Sequence, residues 1–197
     1  MQNLRLEVIK YAKMLNTKKL SALRSGNISV RYKDGFLITP SGAKYSSLKS
    51  KDIVFVSLKG EFDKKKVTPS SEWRFHQDIY KNKIEAKAIV HAHSSCATAI
   101  STHGKGIPAF HYMVAMAGGN DIKCSKYATY GTRELSQNIL KALRHRNACL
   151  IGNHGQIAYS ENLSKAFELA EEVENLSNQY IKALKIGKPK ILSSKEM

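Results

Sequence analysis

Apolar and polar positions repeat along this chain with two different periods, and the switches between them predict its elements. Residues 2–15 place Leu4, Val8, Tyr11, Ala12 and Leu15 on one helical face, with polar residues between. After the small, polar stretch Arg24-Ser25-Gly26-Asn27 the period drops to two. Ile28-Ser29-Val30-Arg31-Tyr32 reads as a strand, Asp34-Gly35 as a tight turn, and Phe36-Leu37-Ile38-Thr39 as the returning strand, broken by Pro40-Ser41-Gly42. Residues 52–58 form a further strand, closed by the turn Lys59-Gly60. Thr68-Pro69-Ser70-Ser71-Glu72 sets hydroxyl residues ahead of an acidic one, which signals a helix start, and Trp73, Phe75, His76, Ile79 and Tyr80 carry that helix on.

The second half follows the same logic. Ala88-Ile89-Val90 is a buried strand running into His91-Ala92-His93, and residues 94–101 are an apolar helix. Residues 107–113 begin an ordered stretch that Gly118-Gly119 interrupts. A helix opens at Gly131 or Thr132 and sets Leu135, Ile139, Leu140 and Leu143 on one face. Ala148-Cys149-Leu150-Ile151 is a short buried strand, Gly152-Asn153-His154-Gly155 a turn, and Gln156-Ile157-Ala158-Tyr159 leads away from it. Residues 163–185 are a long amphipathic helix, and residues 188–197 a polar tail. No repeat, low-complexity segment or linker divides the chain, so residues 1–197 are expected to fold as one domain.

Composition narrows the class. With 42% apolar residues the chain fits a soluble protein, and no apolar run approaches the roughly 18–20 residues of a membrane span. The N-terminal residues carry charges where a signal peptide would need its apolar segment, so none is expected. Cys96, Cys124 and Cys149 are odd in number, far apart and without a CxxC pair, which fits reduced thiols and a cytoplasmic location. A net charge of +16 raises the question of nucleic acid, but the lysines are dispersed, no aromatics interleave them, and no binding motif is present. The expectation is therefore no nucleic-acid and no membrane partner, and a positive field that steers an anionic metabolite to a pocket.

Candidate chemistry gathers at strand ends. His91 and His93, two apart on a strand, project to one side about 7 Å apart. They are either metal ligands or two hydrogen-bonded histidines of a half-buried sheet face. His154, flanked by glycines at another strand end, is a third imidazole. Three imidazoles with an open position are the donor set of a catalytic zinc. Glu72, at a helix start, can fill the fourth position, act as a general base, or simply complement the helix dipole. The turns Gly26-Asn27 and Ser41-Gly42 lie at ends of the hairpin that antiparallel pairing brings together. They are either ordinary turns or a concavity suited to an oxyanion such as phosphate, to which Ser70 and Ser71 add helix-terminal N–H groups. A sugar phosphate carries both a carbonyl for the metal and a phosphate for the turns, but this pattern alone leaves the reaction open.

Ordered blocks now add a resemblance. GNISVR from Gly26, TPSG from Thr39, PSSEWRFH from Pro69, the His91-Ala92-His93 strand, IPAFHYMVAMAGG from Ile107, YATYGTREL from Tyr127 and Asn153-His154-Gly155 together resemble the class II aldolase/adducin family. Within it they are most similar to the branch that cleaves L-fuculose 1-phosphate. The resemblance implies a single α/β domain, an α/β/α layered fold with a central, mostly antiparallel sheet. It implies a class II aldehyde-lyase that splits a ketose 1-phosphate into dihydroxyacetone phosphate and an aldehyde, here L-lactaldehyde, through a metal-stabilised enediolate. It assigns one zinc per subunit to His91, His93 and His154, with Glu72 as the resting fourth ligand and then the base. It assigns the phosphate to Gly26, Asn27, Ser41, Gly42, Ser70 and Ser71. It assigns proton donation to Tyr112, reaching in from a neighbouring subunit of a C4 homotetramer. The chain departs from that branch in ending soon after Ile191-Leu192-Ser193 and in carrying Tyr130 in place of a phenylalanine, both on the aldehyde side. Related chemistries of the family are sugar-phosphate 4-epimerisation, whose branch has aspartate in place of Glu72, and methylthioribulose-1-phosphate dehydration, which PSSEWRFH fits less well. A non-catalytic adducin-like module would lack the metal set that is intact here.

Overall fold

A computed structural model describes residues 1–197 as a seven-stranded sheet between two helical layers. The strands of the sheet are β1 (Asn27–Tyr32), β2 (Gly35–Ile38), β3 (Val54–Ser57), β4 (Ala88–Ala92), β7 (Cys124–Ser125), β8 (Ala148–Ile151) and β9 (Gly155–Ser160). Their order is β3-β2-β1-β4-β9-β8-β7, antiparallel except for β7 against β8. β5 (Ile107–Pro108) and β6 (Asp121–Ile122) form a separate pair. The helices are α1 (Gln2–Thr17), α2 (Trp73–Asn82), α3 (Ser95–Ser101), α4 (Arg133–Ala142) and α5 (Leu163–Ile186).

The period-two strands sort their side chains into two cores. Ile28, Val30, Leu37, Val90 and Ala158 face α1, α3 and α5. Phe36, Ile38, Ile89, Ile157 and Tyr159 face α2 and α4. Both faces are covered, so the layered α/β/α fold stands. Side-chain caps open two helices, α4 at the expected Thr132 and α5 at Asn162. The Thr132 hydroxyl accepts the Leu135 N–H at 3.2 Å, and Asn162 Oδ1 accepts that of Lys165 at 2.9 Å.

Two stretches differ from the sequence pattern. The strand expected over residues 52–58 is shortened to Val54–Ser57, because Ser50–Asp52 winds into a 3₁₀ turn closed by a hydrogen bond from the Lys49 N–H to Asp52 Oδ2, 2.8 Å. Residues 107–125 are built from two-residue strands around a 3₁₀ segment, Tyr112–Ala117, which Gly118 ends at φ 91°. Pieces this short carry no periodicity, and β8 is the one strand that pairs with β7.

What positions the site is the register of β1, β4 and β9. Asn27 stands opposite His91, and His91 opposite Ile157. The polar turn before β1 therefore lies beside the histidine end of β4.

Candidate active site

Four side chains from three segments converge where β4 ends. His91, fully buried, projects from β4 toward α2 and meets Phe75 edge-on at 5.4 Å. Its Nδ1–H donates to the Gln156 carbonyl of β9 at 2.7 Å, so Nε2 carries the lone pair. His93 sits one step past β4, its backbone N–H donating to Ser21 Oγ at 3.0 Å. His154 comes from the β8–β9 turn, where Asn153 takes a left-handed φ of 52°, a conformation asparagine tolerates. Glu72 precedes α2 and is buried.

The donor atoms are close together. His91 Nε2 and His154 Nε2 each lie near His93 Nε2, at 2.9 and 3.0 Å. Glu72 Oε2 is 3.2 Å from His91 Nε2, and Oε1 is 3.1 Å from His154 Nε2. One atom from each residue fits within a 4.8 Å span. A tetrahedral zinc with ligands at 2.0–2.1 Å has donor–donor edges of about 3.3 Å, so this spacing is close to that of a bound ion. Burial together with the His91 and His154 imidazoles pushes the His93 pKa down to about 3, which leaves it neutral. Burial opposes ionisation of Glu72, but His91 and His154 outweigh it and hold its carboxyl well below the usual range. Glu72 Oε1 is buried without a hydrogen-bond partner. Three imidazole nitrogens and a buried carboxylate converging on one point are a donor set that a cation among them would satisfy. The residues fit a divalent metal.

A cleft of about 360 Å³ opens onto this cluster, and Glu72, His93 and His154 form part of its wall. The predicted phosphate residues Gly26, Asn27, Ser41, Gly42, Ser70 and Ser71 all line it. The two turns are clamped side by side, the Ser41 N–H donating to the Thr68 carbonyl at 3.1 Å and the Ser70 N–H to that of Thr39 at 3.0 Å. Those backbone donors are spent, whereas the N–H groups of Gly42 and Ser71 and the hydroxyls of Ser41 and Ser71 have no protein partner. Gly26 joins the turn to the histidines. Its φ is +78°, and a Cβ there would lie 2.6 Å from Ser21 Oγ and 2.7 Å from the His91 carbonyl oxygen.

Some cleft residues escaped the sequence reading. Arg24 reaches in and donates to the Gly42 carbonyl at 3.1 Å, bringing a guanidinium to the anion-binding turns. Asn153, Tyr127 and Tyr130 complete the wall. Arg24 could have been found from its place in the turn that opens β1, and Tyr127 and Asn153 depend on how loops fold over, whereas Tyr130 stands where the resemblance put it, on the aldehyde side. Tyr112 does not line the cleft of its own chain. It is 65% exposed at the start of the 3₁₀ segment, stacked on His111 at 4.8 Å.

Comparisons with known proteins agree with this geometry. Residues 6–181 match the family Class II Aldolase and Adducin N-terminal domain. A 5-methylthioribulose-1-phosphate/5-deoxyribulose-1-phosphate aldolase of Rhodospirillum rubrum is 48% identical over 98% of this chain and 87% of its own length. An L-fuculose phosphate aldolase of Escherichia coli is 49% identical over 88% of this chain and 80% of its own. A solved structure of an L-fuculose 1-phosphate aldolase superposes with a TM-score of 0.96 at 39% identity, covering 100% of this chain and 93% of that one.

Proposed function

Because the chain belongs to the class II aldolase and adducin family, we propose that its cleft cleaves a ketose 1-phosphate reversibly into dihydroxyacetone phosphate and an aldehyde, with L-fuculose 1-phosphate as substrate and L-lactaldehyde as that aldehyde. One observation carries the reading. The four converging donors and the serine–glycine turns open into a single cleft, where one molecule with a carbonyl and a phosphate can meet both.

His91, His93, His154 and Glu72 would hold the metal, zinc by our assignment. When bound, that ion supplies Lewis-acid polarisation of the ketose carbonyl. Gly42 and Ser71, with their free N–H groups, and the hydroxyls of Ser41 and Ser71 hold the phosphate, supported by Gly26, Asn27 and Ser70. Glu72, ionised and buried, moves the proton at the hydroxymethyl carbon. Tyr112 donates a proton to the aldehyde oxygen from a neighbouring subunit of a C4 tetramer, and its exposure outside its own cleft supports that placement. Residues 1–197 act as one domain, in the cytoplasm; no helix is long and apolar enough to cross a membrane.

A second reading changes only the aldehyde. The alignment to the methylthioribulose/deoxyribulose phosphate aldolase runs through 98% of this chain, against 88% for the fuculose enzyme, which favours a 5-substituted ribulose 1-phosphate. The test is release of dihydroxyacetone phosphate from L-fuculose 1-phosphate and from 5-deoxyribulose 1-phosphate, with zinc and with chelator. Chelator-sensitive cleavage of the first compound supports the main reading, and of the second alone the other. Triose phosphate from neither compound, with metal bound, refutes both.

A further inference from the structure

A chain of buried hydrogen bonds runs from α2 to Glu72, beginning at residues that do not line the cleft. The Tyr80 hydroxyl lies 2.8 Å from Ser29 Oγ, and Ser29 Oγ lies 2.7 Å from His76 Nδ1. His76 Nε2 lies 2.5 Å from Asn27 Oδ1, and Asn27 Nδ2 donates to Glu72 Oε2 at 2.9 Å. His76, Ser29 and Tyr80 are sealed from solvent, at 0%, 0% and 1% exposure. The His76 ring stacks on Phe75 at 4.8 Å and lies parallel to Phe36 at 6.4 Å, so it cannot turn over without repacking both.

Only one arrangement of protons satisfies this chain. A carboxylate oxygen only accepts, so the Asn27 group facing Glu72 must be its NH₂. Its carbonyl oxygen then faces His76 Nε2, which must carry the ring proton. His76 Nδ1 is left as an acceptor, the Ser29 hydroxyl donates to it, and the Tyr80 hydroxyl donates to Ser29. With the amide of Asn27 reversed, its oxygen would lie against the carboxylate, two acceptors with no proton between them. Asn27 Nδ2 also carries a second hydrogen with no protein acceptor, on a residue that lines the cleft.

We propose that His76 is a positioning residue, which locks the Asn27 side chain with its NH₂ toward Glu72 and the cleft so that one amide serves both the carboxylate and the substrate phosphate. The arrangement explains why a polar, fully enclosed histidine occupies an α2 position otherwise facing an apolar core. A hydrophobic ring would pack as well there but would leave the buried Asn27 oxygen without a donor, so that only Glu72 would hold the amide. The inference rests on the aldolase reading of the cleft.

Two amide substitutions separate donation from packing. Glutamine at position 76 extends a donor to the place of Nε2, whereas asparagine reaches only the place of Nδ1, beside Ser29. Zinc-loaded His76→Gln and His76→Asn proteins are compared by metal content, melting temperature, kcat and the Kd for inorganic phosphate. H76Q is expected to stay within about threefold of the parent, and H76N to lose about tenfold in both kcat and phosphate affinity at equal metal content. In an Asn27→Ala background the H76N loss should vanish, because the residue acts only through that amide. H76N within twofold of the parent, or H76Q impaired as much as H76N, overturns the proposal, as does an undiminished H76N loss on top of N27A. Should neither position-76 variant fold, Ser29→Ala decides the matter. It removes the hydroxyl that donates to His76 Nδ1, leaving that buried nitrogen unpaired, and should cost about threefold in phosphate affinity, and an unchanged Kd overturns the proposal. If the parent cleaves no ketose phosphate the functional reading fails, while the phosphate Kd still tests His76.

Discussion

Replacing Gly26 by alanine tests how tightly the anion-binding turn is coupled to the histidines. Two costs add at this position. Its φ of +78° lies in the left-handed region, where an L-side chain costs roughly 1–2 kcal/mol. The new Cβ would also lie 2.6 Å from Ser21 Oγ and 2.7 Å from the His91 carbonyl oxygen, distances at which the backbone must move. Relieving that contact at a site fixed on both sides adds about another 1–3 kcal/mol. Gly42 is the control: its φ is +64°, but nothing lies within 4 Å of its Cβ, so Gly42→Ala carries only the conformational term. For a chain of this size each kcal/mol lowers the melting temperature by about 2–4 °C, so the extra contact cost should make G26A melt about 2–12 °C below G42A. The displacement has a chemical signature as well. Ser21 Oγ is the acceptor for the His93 N–H, and the His91 carbonyl sits on the strand that carries a donor of the cluster. Moving either one spreads the donor set, so G26A should also bind metal more weakly, while G42A keeps its metal. Thermal melts with and without zinc, read beside metal content after dialysis, make the comparison. Equal melting temperatures for the two variants, or normal metal content in G26A, would refute the coupling.

Other perturbations give separate readings. Glu72→Gln should retain metal through the three imidazoles yet lose about 10²–10⁴-fold in kcat, as expected of a base, and near-normal turnover would remove Glu72 from that role. His154→Ala should bind zinc at least about tenfold more weakly, measured by competition with a chromophoric chelator. Stripping the metal from the parent should lower its melting temperature, since a ligand at 100 times its Kd stabilises the folded state by about 2.7 kcal/mol. Acid should destabilise the fold partly through His76, whose pKa burial depresses from 6.5 to about 3. Between those values the unfolded chain takes up a proton that the folded one refuses. Stability is therefore intact above pH 6.5 and falls as the pH drops, by about 1.4 kcal/mol per unit from this group. Urea melts at pH 7 and pH 5 should show a shallower loss for His76→Gln than for the parent, and equal slopes would contradict the assignment.

Much of this protein was legible in the residues alone, because periodicity is local. Two-residue alternation marked β1, the tight turn Asp34-Gly35 placed β2 after it, and the 3.6-residue period marked α1, α4 and α5, since a side chain's face depends only on its neighbours in the chain. The four candidate metal ligands were legible because they sit at recognisable ends of elements: His91 and His93 at a strand end, Glu72 before a helix, His154 between glycines. The serine–glycine turns were legible as turns but ambiguous as a site. Only the antiparallel pairing of β1 with β2 and β4 shows them facing one cleft, with the N–H groups of Ser41 and Ser70 consumed by the turns themselves. The short strands near residues 107–125 were not legible, because two residues carry no period and their place is set by distant partners. Nor was the role of His76. On sequence it is one ring among Trp73, Phe75 and Tyr80 on a helix, and nothing local separates a packing residue from a polar one. The tertiary structure decides it by burying that ring against Ser29 and Asn27, where every donor and acceptor must be paired because no water can satisfy them.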